Sequence, residues 1–179
     1  MKQILPSIIA LLAFITTVNA QDNPINKGWG FGFQLNQYQR DFGMGLTATS
    51  PFIVHNSLAL RARGNFMFYE HPEHGTTTWT PYSNVSLGVV GVGGYIADFM
   101  RLYGEGGVIF LFPATDFSSE SFQIGGYGLF GFEFFMTPMT NYFVEIGGVG
   151  TGAVADKVEN EPIYSNGLLI STGFRIQLK

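Results

Sequence analysis

From Trp29 onward, bulky apolar residues alternate with glycine and small polar residues at a period of two. In Trp29-Gly30-Phe31-Gly32-Phe33-Gln34-Leu35-Asn36 the odd positions are large and the even ones are glycine or amide. Phe42-Gly43-Met44-Gly45-Leu46-Thr47-Ala48-Thr49 repeats the pattern. Period two means a strand with two unlike faces. A third strand sets Leu58, Leu60, Ala62, Phe66 and Phe68 against Arg61, Arg63 and Asn65, and a fourth sets Val85, Leu87 and Val89 against Asn84, Ser86 and Gly88. Leu102, Val108, Phe110 and Phe112 oppose Arg101, Tyr103 and Glu105 in the fifth. The sixth sets Phe122, Ile124, Phe130, Phe132 and Phe134 against Gln123, Gly125, Gly131 and Glu133. Tyr142, Val144 and Ile146 oppose Asn141 and Glu145. The last strand runs from Leu168 to Leu178, with Ser171, Gly173, Arg175, Gln177 and Lys179 on its polar side. Glycine interrupts every stretch that could carry a helical period.

The spacing predicts eight strands, all-β, with connections of two kinds. Tight links are expected at Gln39–Asp41, Pro51–Asn56, Tyr95–Phe99 and Phe135–Thr140. Longer polar loops are expected at Glu70–Tyr82, Pro113–Glu120 and Thr151–Ser165. Tyr103-Gly104-Glu105-Gly106-Gly107-Val108 aligns with Phe143-Val144-Glu145-Ile146-Gly147-Gly148 at a shift of 40 residues, so the repeating unit is a pair of strands.

Composition decides which face meets the solvent. Of 179 residues only 12% are charged, about half the usual ~25%, and 24 are glycine. The apolar faces carry more than thirty large residues, about a dozen of them Phe. An eight-stranded barrel has an interior only just wide enough for its side chains, so these faces cannot all point inward. The predicted architecture is therefore an eight-stranded antiparallel up-and-down transmembrane β-barrel, with glycine and polar residues in the lumen. Aromatics near strand ends (Trp29, Phe68, Tyr69, Trp79, Tyr82, Tyr95, Phe99, Phe112, Phe135 and Tyr142) are expected to form interfacial girdles. A net charge of −4 offers no basic footprint for nucleic acid.

Residues 1–20 read as a secretory signal peptide: one lysine, an apolar run from Ile4 to Val18, and Val18-Asn19-Ala20 ahead of Gln21. The domain division is then 1–20 signal peptide and 21–179 barrel. No cysteine is present, so an exported chain would hold its fold by hydrogen bonds and packing without disulfides.

Leader, eight alternating strands and alternating turn and loop lengths resemble the small outer-membrane β-barrel proteins of the OmpA/OmpX type. Arg101-Leu102-Tyr103-Gly104-Glu105-Gly106-Gly107-Val108 is similar to a strand of many members. The resemblance implies a monomer in the outer membrane of a Gram-negative bacterium, surrounded by lipid and lipopolysaccharide and inserted by the barrel assembly machinery. Members usually end on an aromatic residue, whereas here the nearest is Phe174.

Three places could carry chemistry. In the lumen, Arg61, Arg63, Arg101, Arg175 and Lys179 share a face with Glu105, Glu133 and Glu145. They are expected to pair as a structural network, the alternative being a gated ion path through a small porin-like channel. In the loops, Glu70, Glu73, Asp116, Glu120, Asp156, Glu159 and Glu161 meet only Lys157, which makes an acidic rim suited to solvation or to a surface contact. A metal site at Glu70-His71-Pro72-Glu73-His74 is disfavoured because Pro72 breaks the geometry and the histidines are expected in a mobile loop. Lipid-modifying catalysis needs a His beside a Ser and an acid, but His55-Asn56-Ser57 falls in a tight turn and no Gly-x-Ser-x-Gly elbow occurs. No catalysis, cofactor or metal is expected. The leading function is structural or surface-interactive, through the long loops.

Overall fold

A computed structural model describes residues 28–178 except 74 and 98. The expected leader, His74 and Lys179 lie outside the described residues. Eight strands follow in order: β1 Gly30–Tyr38, β2 Asp41–Thr49, β3 Leu58–Glu73, β4 Thr76–Ile96, β5 Met100–Phe112, β6 Gln123–Phe135, β7 Thr140–Gly150 and β8 Gly167–Gln177. Each pairs antiparallel with its neighbours, and β1 closes the ring on β8 from Gly30↔Gln177 to Tyr38↔Leu169. Closure pairs every strand on both sides and leaves no edge.

The alternation read from sequence sets the two surfaces. Phe33, Met44, Leu46, Leu60, Leu87 and Phe174 point out of the ring and stay largely exposed, while Gln34, Asn65, Arg61, Glu133 and Arg175 point in and are buried. This inverts the order of a water-soluble protein, whose contiguous apolar patches rarely exceed a few hundred Å². From Leu102 to Phe112 the outward apolar positions span ten residues, and at a ~3.3 Å rise and ~40° tilt that is roughly 25 Å. Such a height matches the apolar band of membrane barrels. Trp29, Trp79, Phe99 and Phe112 stand outward at strand ends, as girdle residues should.

Two expectations fail at the loop end. Glu70–Tyr82 is not a loop: β3 and β4 pair in register up to Glu73↔Thr76, and Gly75 takes a left-handed φ of +79° in a two-residue turn. Thr76-Thr77-Thr78-Trp79-Thr80 has strong strand propensity but hydroxyls on both faces, so no apolar period betrayed the strand. Tyr69 and Tyr82 do not belong to a girdle either. Both are buried in the lumen, because their positions have the parity of Met67 and Asn84.

Candidate functional site

The lumen is stacked in layers. Nearest the short turns lies the ionic network, in which the structure brings together all seven described network residues. Arg61 and Arg63 come from β3, Arg101 and Glu105 from β5, Glu133 from β6, Glu145 from β7 and Arg175 from β8. Glu145 is the hub. It accepts from Arg63 Nη1 (2.7 Å), Arg175 Nη2 (2.6 Å) and Arg61 Nη1 (3.4 Å). Glu105 takes Arg61 Nη1 at 2.7 Å and Arg63 Nη2 at 2.5 Å. Glu133 accepts from both Arg101 Nε (2.9 Å) and Nη2, from Arg175 Nη1 (3.4 Å) and from Asn141 Nδ2 (3.1 Å). Arg175 lies 3.7 Å from the Phe143 ring centroid and Arg101 lies 4.5 Å from that of Phe52, which sits on the link between β2 and β3.

Two phenols complete the network, and their roles were not read from sequence. Tyr103 donates to Glu145 Oε1 at 2.5 Å and accepts from Arg175 Nη1 at 3.0 Å, while Tyr127 donates to Glu105 Oε1 at 2.7 Å. Glycine makes their seats. A Cβ on Gly131 would stand 2.2 Å from Tyr103 Cζ, and one on Gly88 would stand 2.2 Å from Tyr127 Oη. Parity along β5 had already set Tyr103 beside Arg101 and Glu105, and the same parity along β6, with Gly125, Gly131 and Glu133, was the signal that could have found Tyr127.

Above the charges runs an amide layer. Asn65 Oδ1 accepts from Gln34 Nε2 (2.8 Å) and Asn36 Nδ2 (3.0 Å), and Asn65 Nδ2 donates to Asn84 Oδ1 (2.7 Å). Ser171 Oγ donates to Asn36 Oδ1 at 2.7 Å. The void beside Arg63, Ser86, Tyr127 and Ser171 is about 10 Å³, close to the least that holds one water.

The loop-side third is apolar and aromatic. Met67, Tyr69, Tyr82, Ile109 and Leu111 come from strands, and Phe117, Ala153, Ala155, Val158 and Tyr164 from the loops 113–122 and 151–166. Phe117 packs against Tyr69 (5.1 Å between centroids), Tyr82 (6.0 Å) and Tyr164 (4.9 Å). These loops fold into the mouth. Asp41, at the start of β2, ties the second one down by accepting from Ser165 N–H (2.6 Å) and Tyr82 Oη (2.7 Å).

The acidic residues do not form one rim. Glu70 sits half-buried on β3 opposite Trp79, and Glu73 ends that strand. Asp156 links the two loops, accepting from the Ser119 backbone N–H (2.8 Å) and from the Ser119 hydroxyl. These bonds hold its carboxyl below the ordinary value of 3.8. Asp116 and Glu159 face a shared pocket with Lys157, whereas Glu120 and Glu161 are exposed. His71 is not in a mobile loop. It is buried on β3, stacked on Tyr69, with Nε2 2.8 Å from Thr80 Oγ1. Among the described residues, no group of three or more His, Asp or Glu side chains is placed to hold a metal ion.

The fold is that of the small eight-stranded outer-membrane β-barrels. No family model matches the chain, and no curated protein sequence matches it. The chain is similar in structure to the N-terminal β-barrel domain of Pseudomonas aeruginosa OprF, at 10% identity and a TM-score of 0.55, over 84% of this chain and 97% of that one. It also matches Ail, the attachment invasion locus protein of Yersinia pestis, solved with the heparin analogue sucrose octasulfate. That match has 15% identity and a TM-score of 0.43, over 83% of this chain and 96% of that one.

Proposed function

We propose that this protein is an exported, monomeric outer-membrane barrel that carries its folded loops to the cell surface and works there as a structural or binding element, without catalysis. The observation that carries the reading is the inversion of the two faces: an apolar belt outside the ring, and four arginines and three glutamates joined in one buried network inside it. Charges this deeply buried are retained where they are paired and hydrogen-bonded, and here they are. A chain of this kind needs the leader at residues 1–20, lipid and lipopolysaccharide as its solvent, and the barrel assembly machinery for insertion.

The filled lumen speaks against transport. In a planar bilayer the folded barrel is expected to stay silent, and Arg61→Ala with Arg63→Ala is expected to lower thermal stability without opening a path. Stable conductance steps from the unaltered barrel would overturn the reading in favour of a channel. Surface placement is tested separately, by labelling Glu161→Cys on intact cells with a membrane-impermeant maleimide.

A further inference from the structure

Beside the aromatic plug, at the loop end, lies a pocket of about 410 Å³. That is within the ~300–1,000 Å³ range of small-molecule sites. Its wall joins separate parts of the chain: His71 from β3, Thr78 and Thr80 from β4, Asp116 from the loop 113–122, and Lys157 and Glu159 from the loop 151–166. Such a composite pocket depends on the two loops being fixed relative to each other, and they are. Lys157 Nζ donates to Thr115 O at 2.6 Å, Lys157 N–H donates to Phe117 O at 3.2 Å, and Asp156 takes Ser119 as above. Phe117 in turn is buried in the plug. A preassembled pocket loses less entropy on binding than one the ligand must order.

The lining selects the chemistry. Two carboxylates face one ammonium, and that ammonium already has an acceptor in Thr115, so the pocket presents net negative charge to a ligand. Among the described residues its acids are Asp116 and Glu159, and the His, Asp and Glu of those residues form no metal cage. His71 is only 6% exposed and keeps one ring nitrogen, Nδ1, without a hydrogen-bond partner among the described residues, although a buried polar atom ordinarily has one. His71 Nε2 lies 2.8 Å from Thr80 Oγ1 and fixes that hydroxyl, and Thr80 with Thr78 gives the wall its hydrogen-bonding groups.

We propose that this pocket binds a small hydroxylated organic cation of the amino-sugar kind, its ammonium held by Asp116 and Glu159 and its hydroxyls by Thr78 and Thr80. The proposal rests on the surface reading above only for where the ligand is met, not for whether it binds. Calorimetric titration of the full barrel in detergent uses glucosamine hydrochloride as probe, with glucose and glucuronate at matched ionic strength. Saturable glucosamine binding is expected, at least about tenfold tighter than either comparator and weakening as salt is added. Asp116→Asn with Glu159→Gln should reduce it about tenfold or more, with the heat-dependent gel shift unchanged because both carboxylates are exposed. Thr80→Val should weaken it less. No saturable heat with glucosamine overturns the site. Equal binding of glucose, or full binding by the double variant, overturns the charge selection that defines it. Failure of Glu161→Cys to label on intact cells removes the surface reading and leaves the binding result standing.

Discussion

The turn-side and loop-side ends of the lumen are filled by opposite means. At the turn side the strands supply the charged filling, with Phe52 of the β2–β3 link stacked on Arg101, and the network members meet across the ring or between neighbouring strands from a fixed register. At the loop side the strands supply half of it, and two connections fold back to supply the rest. The polar accounting differs too. Among the described residues, the ionic layer leaves Arg175 Nε, Asn141 Oδ1 and, opposite Arg63, Thr47 Oγ1 without partners, while the loop side leaves Asp41 Oδ1, Tyr69 Oη, His71 Nδ1 and Tyr164 Oη. One end is held by the same hydrogen bonds that close the barrel. The other is held by docking, which opens locally at lower cost than the barrel unfolds.

Glu145→Gln tests this difference with the largest expected effect. It weakens the hub for Arg61, Arg63 and Arg175 at once and leaves buried guanidinium charge uncompensated. A loss of about 3–5 kcal/mol is expected, read as a lower midpoint of the heat-dependent gel shift in urea. A change under about 1 kcal/mol would mean that the network rearranges freely, and the turn-side end would then be no more rigid than the plug.

The same division governs what could be read from the chain beforehand. Along β3, β5 and β8 the period of two placed Arg61, Arg63, Arg101, Glu105 and Arg175 on one face, and a strand's parity is not altered by distant contacts. Their similar distance from the short turns indicated that they could meet across the barrel, but not which would pair with which. The plug had no such signal. Phe117, Ala153, Val158 and Tyr164 lie in irregular connections without a period, and only the closed ring shows that their side chains turn inward. His71 and Thr80 were lost for a related reason. Their hairpin carries hydroxyls on both faces from Thr76 to Thr80, so the alternation becomes invisible.

Phe117→Ala addresses the loop-side end. In a sealed core the loss would be about 3–5 kcal/mol, but a loop that can lift converts much of it into local opening. The expected result is faster proteolysis within residues 151–166, with a smaller shift of the barrel's own unfolding midpoint than Glu145→Gln produces. Equal loss in both measurements would mean that plug and barrel unfold as one unit.

Gly131→Ala returns to the turn side at smaller scale. The added methyl meets the Tyr103 ring, whose hydroxyl bridges Glu145 and Arg175. Overpacking of this kind costs about 1–3 kcal/mol. Tyr103→Phe in the same background separates the causes. If the clash acts by displacing the hydroxyl, the second change adds little. If it acts by steric strain alone, the two losses add.

The smallest effect concerns acid. Asp156 joins the two loops through Ser119, and those hydrogen bonds favour its charged form, so its carboxyl titrates below 3.8 when the loops are docked. A lowered carboxylate contributes stability that is complete above the value of the freed group and disappears as the pH falls through the docked one. Cleavage of the 151–166 loop by an acid-active protease should therefore hold level as the pH is lowered toward 4 and rise only below it. Asp156→Asn should flatten that rise, because the amide oxygen still accepts from Ser119 N–H but carries no proton-dependent charge. The ionic layer shares no group with this clamp, so the barrel's gel shift should not follow the Asp156 titration. If barrel and loop lost protection together at the same pH, the two ends of the lumen would be a single cooperative unit.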